Sequence, residues 1–261
     1  MADREKILRY FKASGDENLA AKLLDLCEGA NKSRKYKLSD FLDPHSLNVS
    51  EIIAANFERI RVETSGGFKN SERAKAAFVS EDFYGNPDYA IDAYKVEWDK
   101  RYYTLGHQDI LGAFMGLGCK REILGDIIFI PEGAQFVADR SFNAYIVSNL
   151  TQIGAAPVQL VNIPLTDLQE KEEQVKIISA TVAALRLDAV AAAGYGASRS
   201  RMADEIKGQN VKVNWKEAKN AAQTVGEGDI ISYRGRGRVE LLEVRGTTKK
   251  GRTSITLKRY I

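Results

Sequence analysis

Residues 186–214 read RLDAVAAAGYGASRSRMADEIKGQNVKVN, and this stretch decides the fold of the carboxy-terminal third. Leu187, Val190 and Ala191 fall on one face of a short predicted helix, and the alanine run lets a second helix approach closely. Gly194 stands where a left-handed cap residue is expected to end it. Ser198 is the expected cap of the next helix, whose apolar face carries Met202, Ala203 and Ile206. VKVN then reads as a strand, with Val211 and Val213 facing in and Lys212 and Asn214 facing out. Two short helices followed by strands predict a small α/β module.

The start of the second helix carries an unusual choice of residues. Arg199 and Arg201 lie in its first turn, where the helix macrodipole is positive. Each costs a few tenths of a kcal/mol relative to Asp or Glu at such a site. Arg201 also takes the position where a capping box wants Glu. An incoming phosphate reverses the sign, because helix amides and two guanidiniums then face one anion. The bland alternative is a solvated basic turn. Farther on, GDIISYRGRGRVELLEV reads as a strand in which Arg234, Arg236 and Arg238 line one face, spaced by about 6.6 Å. Gly235 and Gly237 leave the other face bare or else mark a bulge. Trp215 is a core plug or a stacking surface, the plug being the better reading. TTKKGRTSITLKRYI adds a basic turn with Lys249, Lys250 and Arg252, then a last strand.

Charge separates this module from the rest of the chain. Residues 186–261 hold 16 Lys/Arg and 8 Asp/Glu, whereas residues 1–185 hold 22 and 27. A net of +8 joined to a net of −5 is the pattern of a polyanion binder with a separate body. Charge by itself does not separate RNA from DNA or an anionic membrane. The 261 residues allow two or three domains, and 44% hydrophobic with 28% charged residues predicts a folded chain. There is no apolar run long enough to span a bilayer and no apolar signal core in MADREKILRYFKASGDE. Cys27 and Cys119 lie far apart in apolar settings and read as buried free thiols of a cytoplasmic protein.

The expected fold class is α+β, with a helical amino-terminal region over 1–80, a second domain over 81–170 and the basic module over 182–261. In the first 60 residues, ILRYFK and LAAKLLDLCEGA have helical spacing, with Leu19, Leu23, Leu24 and Leu26 as core contacts. DFLDPHSLNVSEIIAANF breaks at Asp43-Pro44 and restarts near Val49, capped by Asn48 or Ser50. In the middle, YAIDAYKV, HQDILGAFMGLG, DIIFI, AQFVA, SFNAYIVSNLTQI and PVQLVNI give the order βαββαβ of an RNA-recognition-like, ferredoxin-like unit. Base-stacking units of that type carry aromatics in a basic-led central strand. GAQFVAD has Phe136 alone, so a scaffold role is expected of that sheet.

These residues also carry a resemblance. RLD, the glycines, SR before a helix, VKVN and the late GDII resemble the S-four-type domain, the small RNA-binding domain first known from small-subunit ribosomal protein four. Together with SGGFKNSERAKAAF and LGHQDILGAFMGLGCKREILGDI, the chain resembles the bacterial YlmH family. The resemblance implies the three-part layout above and cytoplasmic, ribosome-associated binding of ribosomal and transfer RNA. It also implies a task on stalled or released large subunits that still hold transfer RNA. Two departures stand out. Gly208 is followed by Gln209 and Asn210 where the family has glycine one position later, so Gly208 or Asn210 is expected to take any left-handed conformation. His107-Gln108-Asp109 replaces the family's H-R-D, which removes one phosphate contact. The residues expected at RNA are Arg186, Ser198, Arg199, Ser200, Arg201, Lys207, Lys212, Asn214, Arg234, Arg236 and Arg238, with His107, Lys120 and Arg121 as a secondary RNA-facing surface.

An RNA-modifying enzyme is the rival reading. A pseudouridine synthase needs an aspartate in a GRLDxxTxGL-like stretch, but Arg186-Leu187-Asp188 is followed by Ala189-Val190-Ala191. MGLGC and GYGAS lack the strand–helix context of a methyltransferase loop. His45 and His107, the two histidines, have no zinc spacing to cysteine. No catalytic residue, metal, cofactor, small-molecule substrate or membrane partner is therefore expected. His107 with Asp109 reads as orienting the helix it begins. An adaptor role linked to cell division is a third reading.

Overall fold

Asp3 accepts a hydrogen bond from the Lys6 amide and so starts α1 (Arg4–Lys12). This computed structural model describes residues 3–169, 175–248 and 251–260, and the chain divides into two units, 1–171 and 172–261. Lys249 and Lys250 of the expected basic turn lie outside the described residues.

In the first unit α1 is followed by α2 (Glu17–Ser33), β1 (Tyr36–Leu42), α3 (Pro44–Ala54), β2 (Ile60–Ser65) and β3 (Ala74–Ser80). The amino-terminal region is thus not purely helical. Its three strands form an antiparallel sheet in the order β1-β3-β2, and Leu23, Leu24, Cys27, Ile53 and Phe78 pack between helices and sheet. Helix α3 starts at Pro44 itself, because the Asp43 carboxylate caps the Ser46 amide and proline suits the first helical position. The restart at Val49 is corrected accordingly.

Next come β4 (Ile91–Glu97), α4 (His107–Gly116), β5 (Leu124–Ile130), β6 (Gly133–Asp139), α5 (Asn143–Asn149), a two-residue pair β7 (Gln152–Ile153) and β8 (Ala156–Pro157), and β9 (Gln159–Ile163). The second expected helix is shorter than its apolar pattern, being preceded by a 3-10 turn at Arg140–Phe142. The sheet order β5-β6-β4-β9, antiparallel throughout, is the split βαβ arrangement. Phe136 points to the helices, stacked on Tyr94 at 4.9 Å and edge-on to Phe114 at 5.0 Å. The other face of this sheet is covered as well. Ile91, Ala93 and Val137 pack there on Phe41 of β1, and buried Lys75 of β3 pairs with Asp139 of β6. The surface on which an RNA-recognition unit stacks bases is filled by the amino-terminal sheet.

The second unit contains β10 (Val175–Val182), α6 (Leu187–Tyr195), α7 (Arg199–Lys207), β11 (Val211–Val213), β12 (Lys216–Glu217), β13 (Ile230–Tyr233), β14 (Gly237–Thr247) and β15 (Thr253–Tyr260). They form an antiparallel six-stranded sheet, β10-β15-β14-β13-β11-β12. Helices α6 and α7 pack on one face through Leu187, Val190, Met202 and Ile206 against Val211, Ile231, Val239 and Leu257. Gly194 does not cap α6. A Cβ there would lie 2.6 Å from Val239, so this glycine lets α6 lie on β14, and Gly196 (φ 65°) ends the helix.

Candidate nucleic-acid interface

Ser198 Oγ accepts from the Arg201 amide (3.2 Å) and lies 3.1 Å from Ser200 Oγ, so both serines sit at the first turn of α7 as the sequence suggested. Asp188, in the first turn of α6, is buried directly beneath. Arg186 reaches it with Nε (3.2 Å) and Nη2 (2.8 Å), and Arg199 Nη2 lies 3.1 and 3.2 Å from its two oxygens. The Arg186 hydrogen bonds, then those of Arg199, outweigh burial and hold the Asp188 carboxyl below the usual range. One carboxylate thereby fixes two guanidiniums, each about half-exposed. The pair keeps a net positive charge beside the α7 amides. Its rotamer entropy is spent in folding and not on meeting a ligand. Arg199 is therefore not a residue that merely opposes the helix dipole.

A second carboxylate organises the far side of α7. Glu205 is held low first by a hydrogen bond from Tyr233 and then by Asn210, whose Nδ2 donates at 2.9 Å; Arg201 and Arg236 act on it as charges. That links the α7 arginine to the β13–β14 turn. The expected row of three arginines on one strand face is corrected here. Arg234-Gly235-Arg236 is the turn itself, with Gly235 at φ 73° and Gly237 at φ 78°, and only Arg238 lies in a strand. The glycines mark a hairpin turn and not a bulge, since the pairing of Ile230–Tyr233 with the following strand runs without a register shift. Arg234 and Arg236 are exposed at the hairpin tip, while the Arg238 guanidinium lies 4.9 Å from the Tyr260 ring.

The remaining expected residues separate into two kinds. Lys207 and Lys212 are exposed, on the last turn of α7 and on β11. Asn214 is not free to read RNA: its Nδ2 donates to Asp229 (2.8 Å) and its Oδ1 accepts from the Ile230 amide (2.9 Å), which secures its own left-handed backbone (φ 49°). The loop before β11 takes its left-handed residue at Gln209 (φ 60°), not at Gly208 or Asn210. Trp215 is half-buried at the next left-handed position (φ 65°).

The secondary surface does not assemble. His107 begins α4, and Lys120 and Arg121 follow its other end, about 15 Å away at 1.5 Å per residue. Gly106, not His107, is the cap residue, and its amide donates to Asp109 (2.7 Å). Arg121 is turned inward. Its guanidinium donates to the carbonyls of Leu124 (2.5 Å) and Gly125 (3.2 Å), and burial, with Arg73 nearby, pulls it down to about 10.

Three family models match the chain: the YlmH amino-terminal domain over 16–83, the YlmH RNA-binding domain over 85–167, and the S4 domain over 185–231. The chain is 35% identical over 228 residues, 86% of its length and 88% of the relative's, to Ribosome-associated protein quality control protein P2 of Bacillus subtilis (strain 168). It is also similar to the solved structure of cell division protein ylmH from Streptococcus pneumoniae, with TM-score 0.52 and 25% identity, covering 60% of this chain and 95% of that one. With a basic S4 domain whose arginines are fixed by buried carboxylate, and with the two YlmH models before it, the chain belongs to the YlmH family of RNA-binding proteins.

Proposed function

We propose that this protein is a non-catalytic binder of ribosomal and transfer RNA on the ribosome, acting in the cytoplasm on stalled large subunits that retain transfer RNA. The observation that carries the reading is the clamp of Arg186 and Arg199 on Asp188 at the amino end of α7. A fixed pair of guanidiniums beside helix amides suits the phosphates of structured RNA, whose positions are themselves fixed. The Bacillus relative, named for ribosome-associated quality control, supports the assignment of the particle.

The test is a titration of the full-length protein with transfer RNA and with large-subunit ribosomal RNA at several salt concentrations. Phosphate-dominated binding falls steeply with salt, by about 0.9 log unit per contact per tenfold salt for duplex geometry. Arg201→Ala together with Arg236→Ala weakens it. Salt-independent binding, or no binding to either RNA, refutes the proposal.

A further inference from the structure

The six-stranded sheet of the second unit has a second face. Val211, Ile231 and Val239 point into the core under α6 and α7, so their strand neighbours Lys212, Ser232 and Arg238 point away from it. The register sets Lys212 opposite Ser232 and Ser232 opposite Arg238. The pairing of Val239 with Arg259 brings Arg238 alongside Tyr260 on the next strand. Tyr260 stands with the Arg238 guanidinium 4.9 Å and the Lys258 ammonium 4.6 Å from its ring centroid. Beyond it, Val175 lies opposite Tyr260 and Ile177 opposite Lys258, 41% and 56% exposed. Glu240, opposite Lys258, accepts from the Tyr260 hydroxyl (2.7 Å), which orients the ring, and Glu217 opposite Lys212 and Glu243 opposite Thr256 are further acids of the same face.

We propose that this outer face is a second RNA contact, one that takes a single-stranded segment. Tyr260 and the exposed Ile177 offer a flat apolar platform to an unpaired base, and Lys212, Arg238 and Lys258 meet the phosphates on either side. With strands about 4.8 Å apart, Lys212 and Arg238 sit on backbones separated by about 10 Å. That separation lies within reach of successive phosphates along an extended strand. Aromatic stacking flanked by cations is the general way sheets hold single strands. Charge complementarity selects RNA over a protein segment: two cations stand at the ring beside the one carboxylate that its hydroxyl meets, and residues 186–261 carry a net of +8. The same role is closed to the middle sheet, whose equivalent face is filled by Phe41 and Lys75. The proposal rests on the RNA-binding reading above, but it uses the opposite face from the α7 arginines.

The experiment uses the full-length protein, a 12-nucleotide oligouridylate containing 5-iodouridine, and a blunt double-stranded RNA. Irradiation is expected to crosslink the oligouridylate to the peptide containing Tyr260. Tyr260→Leu is expected to weaken oligouridylate binding about tenfold, the loss of one stacked base, and to leave duplex binding unchanged; Tyr260→Phe stays near wild type. Lys258→Glu, a surface change that spares the core, weakens the same ligand and controls for misfolding of the leucine variant. Wild-type affinity in both Tyr260→Leu and Lys258→Glu, or crosslinks confined to α7, overturns the second site while duplex binding keeps the functional proposal standing. Absence of binding to either RNA removes both. Crosslinking of this face to a protein on ribosomal particles, without RNA, also overturns it.

Discussion

Asp188 shows how one side chain converts a costly arrangement into a useful one. Two arginines in the first turn of α7 oppose the dipole, yet a buried carboxylate beneath one of them, Arg199, supplies the compensating charge. Arg199 and Arg201 therefore separate under mutation. Arg199→Ala should lower stability by roughly 1 kcal/mol, discounted for its exposure, and also weaken RNA binding; Arg201→Ala should weaken binding with stability unchanged. Urea denaturation and the RNA titration read the two effects. The pH dependence follows from sign. The folded Asp188 carboxyl lies below its ordinary value, so its stabilisation is complete above the unfolded value of about 3.9 and is lost as pH falls through the lower folded value. Asp188→Asn should thus differ from wild type near neutrality and converge with it in acid. Gln209 is a second residue-scale case. A side chain at φ 60° costs about 1–2 kcal/mol, and glycine returns about 0.4–1 of that as unfolded-state entropy. Gln209→Gly should raise stability by about 0.5–1 kcal/mol, seen as a shifted urea midpoint at constant slope.

Elements show where the sequence was legible and where it was not. The two helices of the S4 domain and the βαββαβ order were readable, because period and caps agree over whole segments. Strand β1 was not, since the register shift between Leu38 and Phe41 breaks its alternation. Strand β3, AKAAFVS, is buried at every position and carries alanines and a lysine, a composition with no strand signal. Its Lys75 is buried because Asp139 lies on the neighbouring sheet, a partner 64 residues away that local reading does not see. Lys75→Met should cost about 3 kcal/mol by stranding Asp139, and Lys75→Met with Asp139→Asn should recover most of it; denaturation of the four proteins of that cycle decides. The RGRG turn was misread as strand because arginine carries no turn preference, and only the glycines held the signal. Gly235→Ala meets open space and should cost about 1–2 kcal/mol for its positive φ. Gly237→Ala should cost more, because a Cβ there lies 2.9 Å from the Tyr260 carbonyl oxygen. Thermal unfolding of the two variants ranks them.

For the molecule as a whole, the two charge regions make opposite demands on a polyanion. Residues 1–185 carry a net of −5 and are repelled by bare RNA, whereas the S4 domain is drawn to it. Naked-RNA affinity should therefore understate affinity for a particle on which the acidic part meets a neighbouring surface that is not phosphate. The middle sheet fits that division, since it is filled by the amino-terminal strand β1 and offers no stacking face of its own. We expect the full chain to co-sediment with ribosomal particles through a sucrose cushion, with preference for large subunits that retain transfer RNA. Residues 182–261 alone should show less preference among particles, because they keep the attraction without the repulsion that sorts one surface from another. Replacing Arg234 and Arg236 by Glu at the hairpin tip should abolish sedimentation of the full chain, since two reversed charges facing phosphate repel where two alanines would merely fail to attract. Raising the salt should release the wild type over the range in which its RNA contacts weaken. Protein found only at the top of the gradient at low salt would remove the ribosome as its partner and leave an adaptor role linked to cell division, the process in the pneumococcal relative's name, the better account.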